Sequence, residues 1–310
     1  MTSFLCPGQG AQHPGFLHNL PPSDATQQTL AEASAALDCD VLSLDSENAL
    51  ESTIAVQLTA VIAGVAMSRT LDANGITPNA VAGLSVGSFT AAVIAGAIDF
   101  ADSLRLVKIR ATLMENAYPS GYGMAAFGGF NQLRLEKLAA TQATESEPLY
   151  LANFNAPTEI VVTGATPALE RLIEAARQAG ARRASMLKVS VPSHCPLLDS
   201  VSHALTEAIS KISIHPPKVT YVGNRRARVL RDANAVIEEL TTNVCNPVLW
   251  HDSTTLLYEL GERFFLEMPP GGVLTGLASD AFSDAMARVT ETTPLETLTY
   301  IARRYVPADS

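Results

Sequence analysis

Gly83-x-Ser85-x-Gly87 is the segment of this chain whose residue types and spacing suit nucleophilic chemistry. In the G-x-S-x-G pattern a serine sits on a strained turn between a strand and a helix, and the glycines let the two elements approach without a clash of Cβ atoms. The flanks supply that context. Thr77-Pro78-Asn79 forms a turn, Ala80 to Gly83 a short strand of small residues, and an alanine-rich helix runs from about Val86 to Ala97. Such a helix aims free N–H groups and the positive end of its dipole at the serine. Ser85 is therefore expected to be a nucleophile, and a serine at its ordinary pKa needs a base within hydrogen-bond reach.

Six histidines are available: His13, His18, His194, His203, His215 and His251. His203 falls in a helical stretch, His215 precedes a Pro-Pro turn and His18 lies in a polar loop, which are ordinary surface settings. His194 stands in Val191-Pro192-Ser193-His194-Cys195-Pro196, after a buried-looking strand and between prolines that fix the backbone. Loop ends of that kind are where α/β folds carry catalytic groups. His251, in Trp250-His251-Asp252, is the rival, with a plainer role as a helix N-terminal residue beside an Asp cap.

Other chemistries are poorly supported. Gly8-x-Gly10-x-x-His13 lacks the third glycine of a dinucleotide fingerprint and has no clear acidic partner about 20 residues on. Its glycines better serve to point a backbone N–H at an oxyanion. No P-loop pattern occurs. The four cysteines, Cys6, Cys39, Cys195 and Cys245, are scattered and form no C-x-x-C pair, so neither zinc nor a disulfide framework is expected.

The elements that must position Ser85 follow from hydrophobic period. Ser52 to Leu71 and Ala101 to Ala117 read as helices, and the apolar runs at Leu149 to Val162 and Met186 to Val191 as buried strands. Strands and helices alternate, so the class is α/β. Between Gly123 and Val191 the order is strand (Met124 to Phe130), helix (Gln132 to Thr141), two strands (Tyr150 to Asn155, Glu159 to Thr163), helix (Ala168 to Ala179) and strand (Ala184 to Val191). That β-α-β-β-α-β order predicts a ferredoxin-like small domain over 123–191, inserted into a larger α/β-hydrolase-like domain with a parallel sheet, formed by 1–122 and 192–310.

With 310 residues, two domains are expected. Lys and Arg number 21 against 31 Asp and Glu, and this net charge of −10 removes the basic footprint of a nucleic-acid or anionic-membrane binder. The N-terminus lacks the basic and apolar regions of a signal peptide, and the most apolar runs, Ala60 to Met67 and Ala91 to Ile98, are far shorter than a spanning helix. A cytoplasmic location is expected. An enzyme and a protein-binding module both fit this composition.

Taken together, the motifs resemble the malonyl-CoA:acyl carrier protein transacylases over nearly the whole chain. The resemblance rests on Pro7-Gly8-Gln9-Gly10-x-Gln12, Gln57, the turn at Ser85, Arg110 in Val107-Lys108-Ile109-Arg110, Asn153-x-Asn155, Val191-Pro192-Ser193-His194-Cys195, Asn246-Pro247-Val248-x-Trp250 and Gly272-Val273-Leu274-Thr275-Gly276-Leu277. It implies Ser85 as the acyl-accepting nucleophile, His194 as its base, and the Gln9 and Val86 N–H groups as the oxyanion hole. Arg110 is implied as the clamp for the free malonyl carboxylate, with Gln57 beside it. Without the resemblance, Arg110 reads as a solvated helix arginine paired with an acid such as Glu115. A backbone carbonyl in the Asn246–Trp250 segment is implied to orient His194, which assigns that task to Leu249. No permanently bound cofactor is implied; malonyl-CoA is the donor.

Leu84 and Ser88 stand where the family commonly has His and Glu. Gly83-x-Ser85-Val86-Gly87, Gly121-Tyr122-Gly123-Met124-Ala125-Ala126, Val248-x-Trp250-His251-Asp252 and Glu267-Met268-Pro269-Pro270-Gly271 point to one branch, because they resemble the epsilon subunit of malonate decarboxylase. There the acceptor is a small carrier subunit bearing a phosphoribosyl-dephospho-CoA arm in place of phosphopantetheine, and the other decarboxylase subunits are further possible partners. Docking of an acidic carrier would use Arg225, Arg226, Arg228 and Arg231, or Arg182, Arg183 and Lys188. A serine hydrolase or thioesterase on the same scaffold, and a catalytically silent carrier-binding subunit, are the competing functions.

Overall fold

The computed structural model describes residues 1–189 and 191–305. In chain order it begins with β1 (Thr2–Cys6), α1 (Asp24–Leu37), α2 (Thr53–Ala73), β2 (Ala80–Gly83), α3 (Gly87–Ile94) and α4 (Phe100–Ala117). The middle of the chain forms β3 (Tyr122–Gly128), α5 (Gln132–Gln142), β4 (Leu149–Ala156), β5 (Glu159–Ala165), α6 (Thr166–Gln178) and β6 (Arg183–Met186). There follow α7 (Asp199–Ile209), β7 (Thr220–Gly223), β8 (Arg228–Leu230), α8 (Ala233–Thr242) and α9 (Trp250–Glu259). The chain closes with β9 (Phe264–Glu267), α10 (Val273–Ala281), β10 (Met286–Val289) and α11 (Leu295–Ala302).

Two sheets result, and the class is α/β. The larger has the order β10-β9-β1-β2-β7-β8, parallel throughout except for the β7–β8 pair. Its central strands β9, β1, β2 and β7 are buried on both faces because alternate side chains enter different cores. Phe4, Cys6 and Val81 join a large cluster with α2, α3 and α4, while Leu5, Ala80 and Ala82 pack with Trp250, Leu257 and Leu274. β1 and β2 are parallel neighbours in the register Cys6↔Gly83, so the loop after β1 and the turn after β2 leave the same edge of the sheet. Gln9 and Ser85 are neighbours for that reason.

α2 departs from the run-length reading. By length and composition it could cross a membrane, since its 21 residues have a mean hydropathy of 1.5 over the most apolar stretch, but 89% of that stretch is buried inside the fold. An element that is apolar all round is a core helix when protein surrounds it.

The smaller sheet has the order β4-β5-β3-β6, with every pair antiparallel. One face (Ala125, Phe127, Ile160, Val162) is covered by Leu135, Leu169 and Leu172 of α5 and α6. On the other, Met124, Ala126 and Val161 form the wall of a cleft. The two sheets are tied by the Phe154 N–H donating to the Val248 carbonyl and the Val248 N–H to that of Ala152, both at 2.8 Å.

Two boundaries differ from expectation. α3 ends at Ile94 and not near Ala97, because Gly96 takes φ +67° and the Ala97 N–H turns back to the Ala92 carbonyl, a left-handed stop. The last strand of the insert is Arg183–Met186 instead of Ala184 to Val191. Past Met186 the chain leaves the sheet edge: Leu187 still donates to the Met124 carbonyl at 2.9 Å, and Lys188 and Val189 turn to line the cleft. Ser190 lies outside the described residues.

Candidate active site

The turn after β2 carries Ser85 at φ +55°, a left-handed conformation that costs a non-glycine residue about 1 kcal/mol or more. Two glycines make the turn possible. A Cβ on Gly83 would overlap the Gly87 carbonyl, and one on Gly87 would overlap the Cys6 carbonyl of the neighbouring strand. His194 is also left-handed, at φ +64°, and its N–H donates to the Val244 carbonyl at 2.8 Å. Two strained residues far apart in the chain thus face each other.

Their side chains meet. His194 Nε2 lies 2.8 Å from Ser85 Oγ, and His194 Nδ1 lies 2.8 Å from the Asn243 carbonyl oxygen. A carbonyl only accepts, so Nδ1 carries the ring proton and the neutral ring leaves Nε2 bare to accept the serine O–H. His194 is pushed down to about 4, first by burial and then by the positive charge of Arg110, against the opposing pull of the Asn243 carbonyl. The ring is neutral at pH 7 and placed to accept the Ser85 proton.

The orienting carbonyl belongs to Asn243, and the assignment to Leu249 is corrected. Leu249 is the N-cap of α9; its carbonyl accepts the Ser253 N–H at 3.0 Å and the Ser253 hydroxyl at 2.8 Å, so it is consumed in starting that helix. Asn243 stands at the end of α8, outside the helix's own bonding, and its carbonyl accepts the Asn246 N–H at 3.3 Å while its other lone pair meets His194 Nδ1. His251, the rival base, is the second residue of α9 and half-buried, and it makes no hydrogen bond to Ser85.

Arg110 is 1% exposed. Its Nη2 donates to Ser85 Oγ at 3.2 Å and its Nη1 to Gln57 Oε1 at 2.5 Å, and Gln57 Nε2 donates in turn to Gln9 Oε1 at 3.3 Å. Both partners of the guanidinium are neutral. Glu115 is engaged elsewhere, accepting the Ser52 hydroxyl and the Thr53 N–H where α2 begins. Burial lowers Arg110 to about 9, which still leaves it charged at neutral pH. A cation buried without a counterion is costly, so the site as built is short of one anion beside the nucleophile.

The Val86 and Gln9 N–H groups donate to no acceptor among the described residues, whereas the next amides, Gly87 and Ser88, donate to Leu84 and Ser85 carbonyls. Ser85, Gln9, Leu84 and His194 open into a cleft of about 580 Å³, whose far wall holds Asn153, Asn155, Arg183 and Lys188. Of the two basic groups singled out by sequence, Arg183 and Lys188 line this cleft, while Arg225 and Arg226 both pair with Glu238. Leu84 lines the cleft, but Ser88 is buried behind the turn, donating to the Gly83 carbonyl at 3.0 Å. Among the described residues no three His, Cys, Asp or Glu side chains form a metal-binding group.

Sequence reasoning passed over Asn243 and, behind it, Asn224 and Glu239. The available signal was in α8: Val236, Glu239, Leu240 and Asn243 fall on one stripe at helical spacing, and a carboxylate on an apolar stripe marks a buried polar group.

Residues 3–299 match the model of the acyl transferase domain. The malonyl CoA-acyl carrier protein transacylase of Escherichia coli K12 is 37% identical over 281 residues, covering 89% of this chain and 91% of that protein. The structure of the malonyl CoA-acyl carrier protein transacylase of Coxiella burnetii superposes with a TM-score of 0.92 at 31% identity, covering 98% of this chain and 97% of that one. A malonyl-transacylase solved in complex with its type II PKS acyl-carrier protein has a TM-score of 0.89 at 32% identity, over 96% and 99% of the two chains. With its strained serine, the neutral histidine bonded to it and these matches over nearly all of its length, the chain belongs to the acyl transferase domain family that includes the malonyl CoA-acyl carrier protein transacylases.

Proposed function

We propose that the protein transfers a malonyl group from malonyl-CoA to the thiol of an acyl carrier protein through a malonyl ester of Ser85. The observation that carries this reading is the uncompensated Arg110 guanidinium 3.2 Å from the Ser85 hydroxyl that His194 holds at 2.8 Å. The free carboxylate of a malonyl thioester lies two bonds from the carbonyl carbon under attack, so a cation next to the nucleophile is where that carboxylate falls.

In the first half-reaction the Ser85 proton passes to His194 Nε2 as Oγ bonds to the thioester carbon. The Gln9 and Val86 N–H groups stabilise the tetrahedral oxyanion, each such donor being worth about 100- to 1,000-fold in rate. The C–S bond then breaks and His194 returns the proton to the departing CoA sulfur. The second half-reaction is the reverse, with the carrier thiol giving its proton to His194 and attacking the ester. Asn243 holds the ring in the required tautomer through both.

We read the insert as a ferredoxin-like unit, 123–191, roofing the serine of a hydrolase-like unit formed by 1–122 and 192–310, in a cytoplasmic enzyme. The finer assignment is to the malonate decarboxylase branch, supported by the Val86-Gly87 and Glu267-Met268-Pro269-Pro270 signatures, with a phosphoribosyl-dephospho-CoA arm on the acceptor. Intact mass after mixing with malonyl-CoA tests the whole scheme. The expected result is a malonyl adduct, absent in Ser85→Ala, that moves to an added carrier. Rapid loss to water with carrier present indicates a thioesterase, and no adduct refutes catalysis. Parallel runs with carriers bearing each kind of arm decide the branch.

A further inference from the structure

Behind the serine turn, on the side away from the cleft, lies a polar network that the reaction does not touch. Glu239 of α8 is 4% exposed and forms no ion pair among the described residues. Its Oε1 accepts the Asn224 N–H at 3.0 Å and the Asn243 side-chain N–H at 3.1 Å, and its Oε2 accepts the Arg225 N–H at 3.4 Å. The Asn224 side-chain amide donates to the Gly83 carbonyl and, at 2.9 Å, to the Ser88 hydroxyl, on either side of Ser85. The Asn243 side chain also donates to Asn224 Oδ1 at 2.8 Å, while its backbone carbonyl is the one that holds His194. The Asn243 amide orientation follows from its partners: the flipped amide would set an oxygen against both a carboxylate and an amide oxygen.

Glu239 therefore touches neither reacting residue but is bonded to the groups that aim both of them. It grips Asn243, whose carbonyl fixes the ring, and Asn224, whose amide fixes the turn. The Gly223 backbone packs directly against the carboxylate, where a Cβ would lie 2.6 Å from Oε2. Burial raises Glu239, opposed by the Asn243, Asn224 and Arg225 N–H groups that favour its charged form. A buried carboxylate held by three N–H donors enforces their geometry more strongly than a neutral acceptor would.

We propose that Glu239 is a positioning residue for acyl transfer, setting the His194–Ser85 alignment through Asn243 and Asn224. This rests on the reading of Ser85 and His194 as nucleophile and base. Glu239→Gln puts an NH2 against N–H donors and is expected to be as damaging as Glu239→Ala. Asn243→Ala keeps the carbonyl but frees it to turn, and is expected to lose as much.

The test is a rapid-quench measurement of Ser85 acylation by malonyl-CoA, normalised to the sites that become acylated at completion. Hydrogen bonds to a charged group are worth about 1.5 to 3 kcal/mol, so each variant should acylate about 10- to 100-fold more slowly per competent site, with KM for malonyl-CoA changed by less than about twofold. The double variant should be no slower than the worse single one, because both cut the same chain of bonds. A merely structural Glu239 predicts fewer competent sites and a lower Tm but a wild-type rate at each, and that outcome overturns the proposal. Additive losses in the double variant overturn it too. If Glu239→Gln does not fold, Asn243→Ala alone decides by the same rate-against-KM comparison. Failure of the wild type to form any malonyl ester is a different result, and strikes the Ser85 reading itself.

Discussion

Arg110→Ala separates the proposed carboxylate clamp from a general role of the arginine in the site. The guanidinium is fully buried, has only Gln57 and Ser85 as side-chain partners among the described residues, and each Nη keeps a second N–H with which to meet a carboxylate. A bidentate pair of charge-assisted bonds is worth about 3 to 6 kcal/mol gross at about 1.5 to 3 each. Removing both ions from water offsets part of that, so a net loss of about 3 kcal/mol, or about 100-fold, is expected in kcat/KM for malonyl-CoA. Acetyl-CoA brings no anion and leaves the wild-type cation unpaired against a methyl group. Its kcat/KM should hold or rise in the variant, so the malonyl-to-acetyl preference falls by about 100-fold or more. The assay is competition of the two donors for Ser85, read as the mass ratio of the two acyl-enzymes, followed by kcat/KM for each donor with one carrier. Equal losses with both donors would refute the clamp and leave Arg110 as a ligand of the serine oxygen only.

Since neutral His194 is the active form, activity is lost as pH falls through its pKa, and the acid limb of kcat/KM for malonyl-CoA should lie near 4. In Arg110→Ala, assayed with acetyl-CoA, the depressing charge is gone and that limb should move up; a limb that stays put or moves down contradicts the assigned cause. Gly87→Ala drives a Cβ into the Cys6 backbone and should cost at least about 3 kcal/mol, read as a lower urea midpoint at unchanged m. Charge reversal at Arg183 and Lys188 should raise KM for the carrier about two- to fivefold per site, more at low salt, whereas reversal at Arg225 and Arg226, already paired with Glu238, should not; the opposite pattern moves the docking face.

The serine turn was legible because its causes are local: two glycines, a strand of small residues and a helix, all within a few residues of Ser85. His194 was legible for a related reason, the prolines that bracket it. Arg110 was not legible in this way. By residues alone it reads as a solvated helix arginine, and the packing of α4 on α2 turns the stripe Ser103, Leu106, Val107, Arg110 and Met114 inward. Asn243 was missed because a backbone carbonyl leaves no side-chain signature; the segment named, Asn246–Trp250, begins three residues past the carbonyl that holds the ring, and Leu249 within it was the wrong choice. The last strand of the insert was overextended because the apolar run continues past Met186. Leu187 and Val189 are apolar where they line a cleft, and hydrophobic period does not separate cleft from sheet.

The charges also explain why a carbonyl and not a carboxylate holds the base. His194 and Arg110 share the Ser85 oxygen, at 2.8 and 3.2 Å. A carboxylate on His194 Nδ1 would sit a few ångströms further on and raise the ring pKa. It would also offset part of the positive potential that is to recognise the substrate, since a pair of unit charges about 8 Å apart at an effective dielectric of about 20 interacts by about 2 kcal/mol. The Asn243 carbonyl fixes the tautomer without that competition, and the nearest fixed carboxylate of the network, Glu239, is held behind Asn243, where it stiffens the carbonyl. The anion that completes the site then comes with the substrate. Binding it cancels the Arg110 charge that depresses His194, so the base is expected to strengthen when a malonyl group, and not an acetyl group, is in place. One buried arginine would thus select the acyl group and make its transfer conditional on that selection.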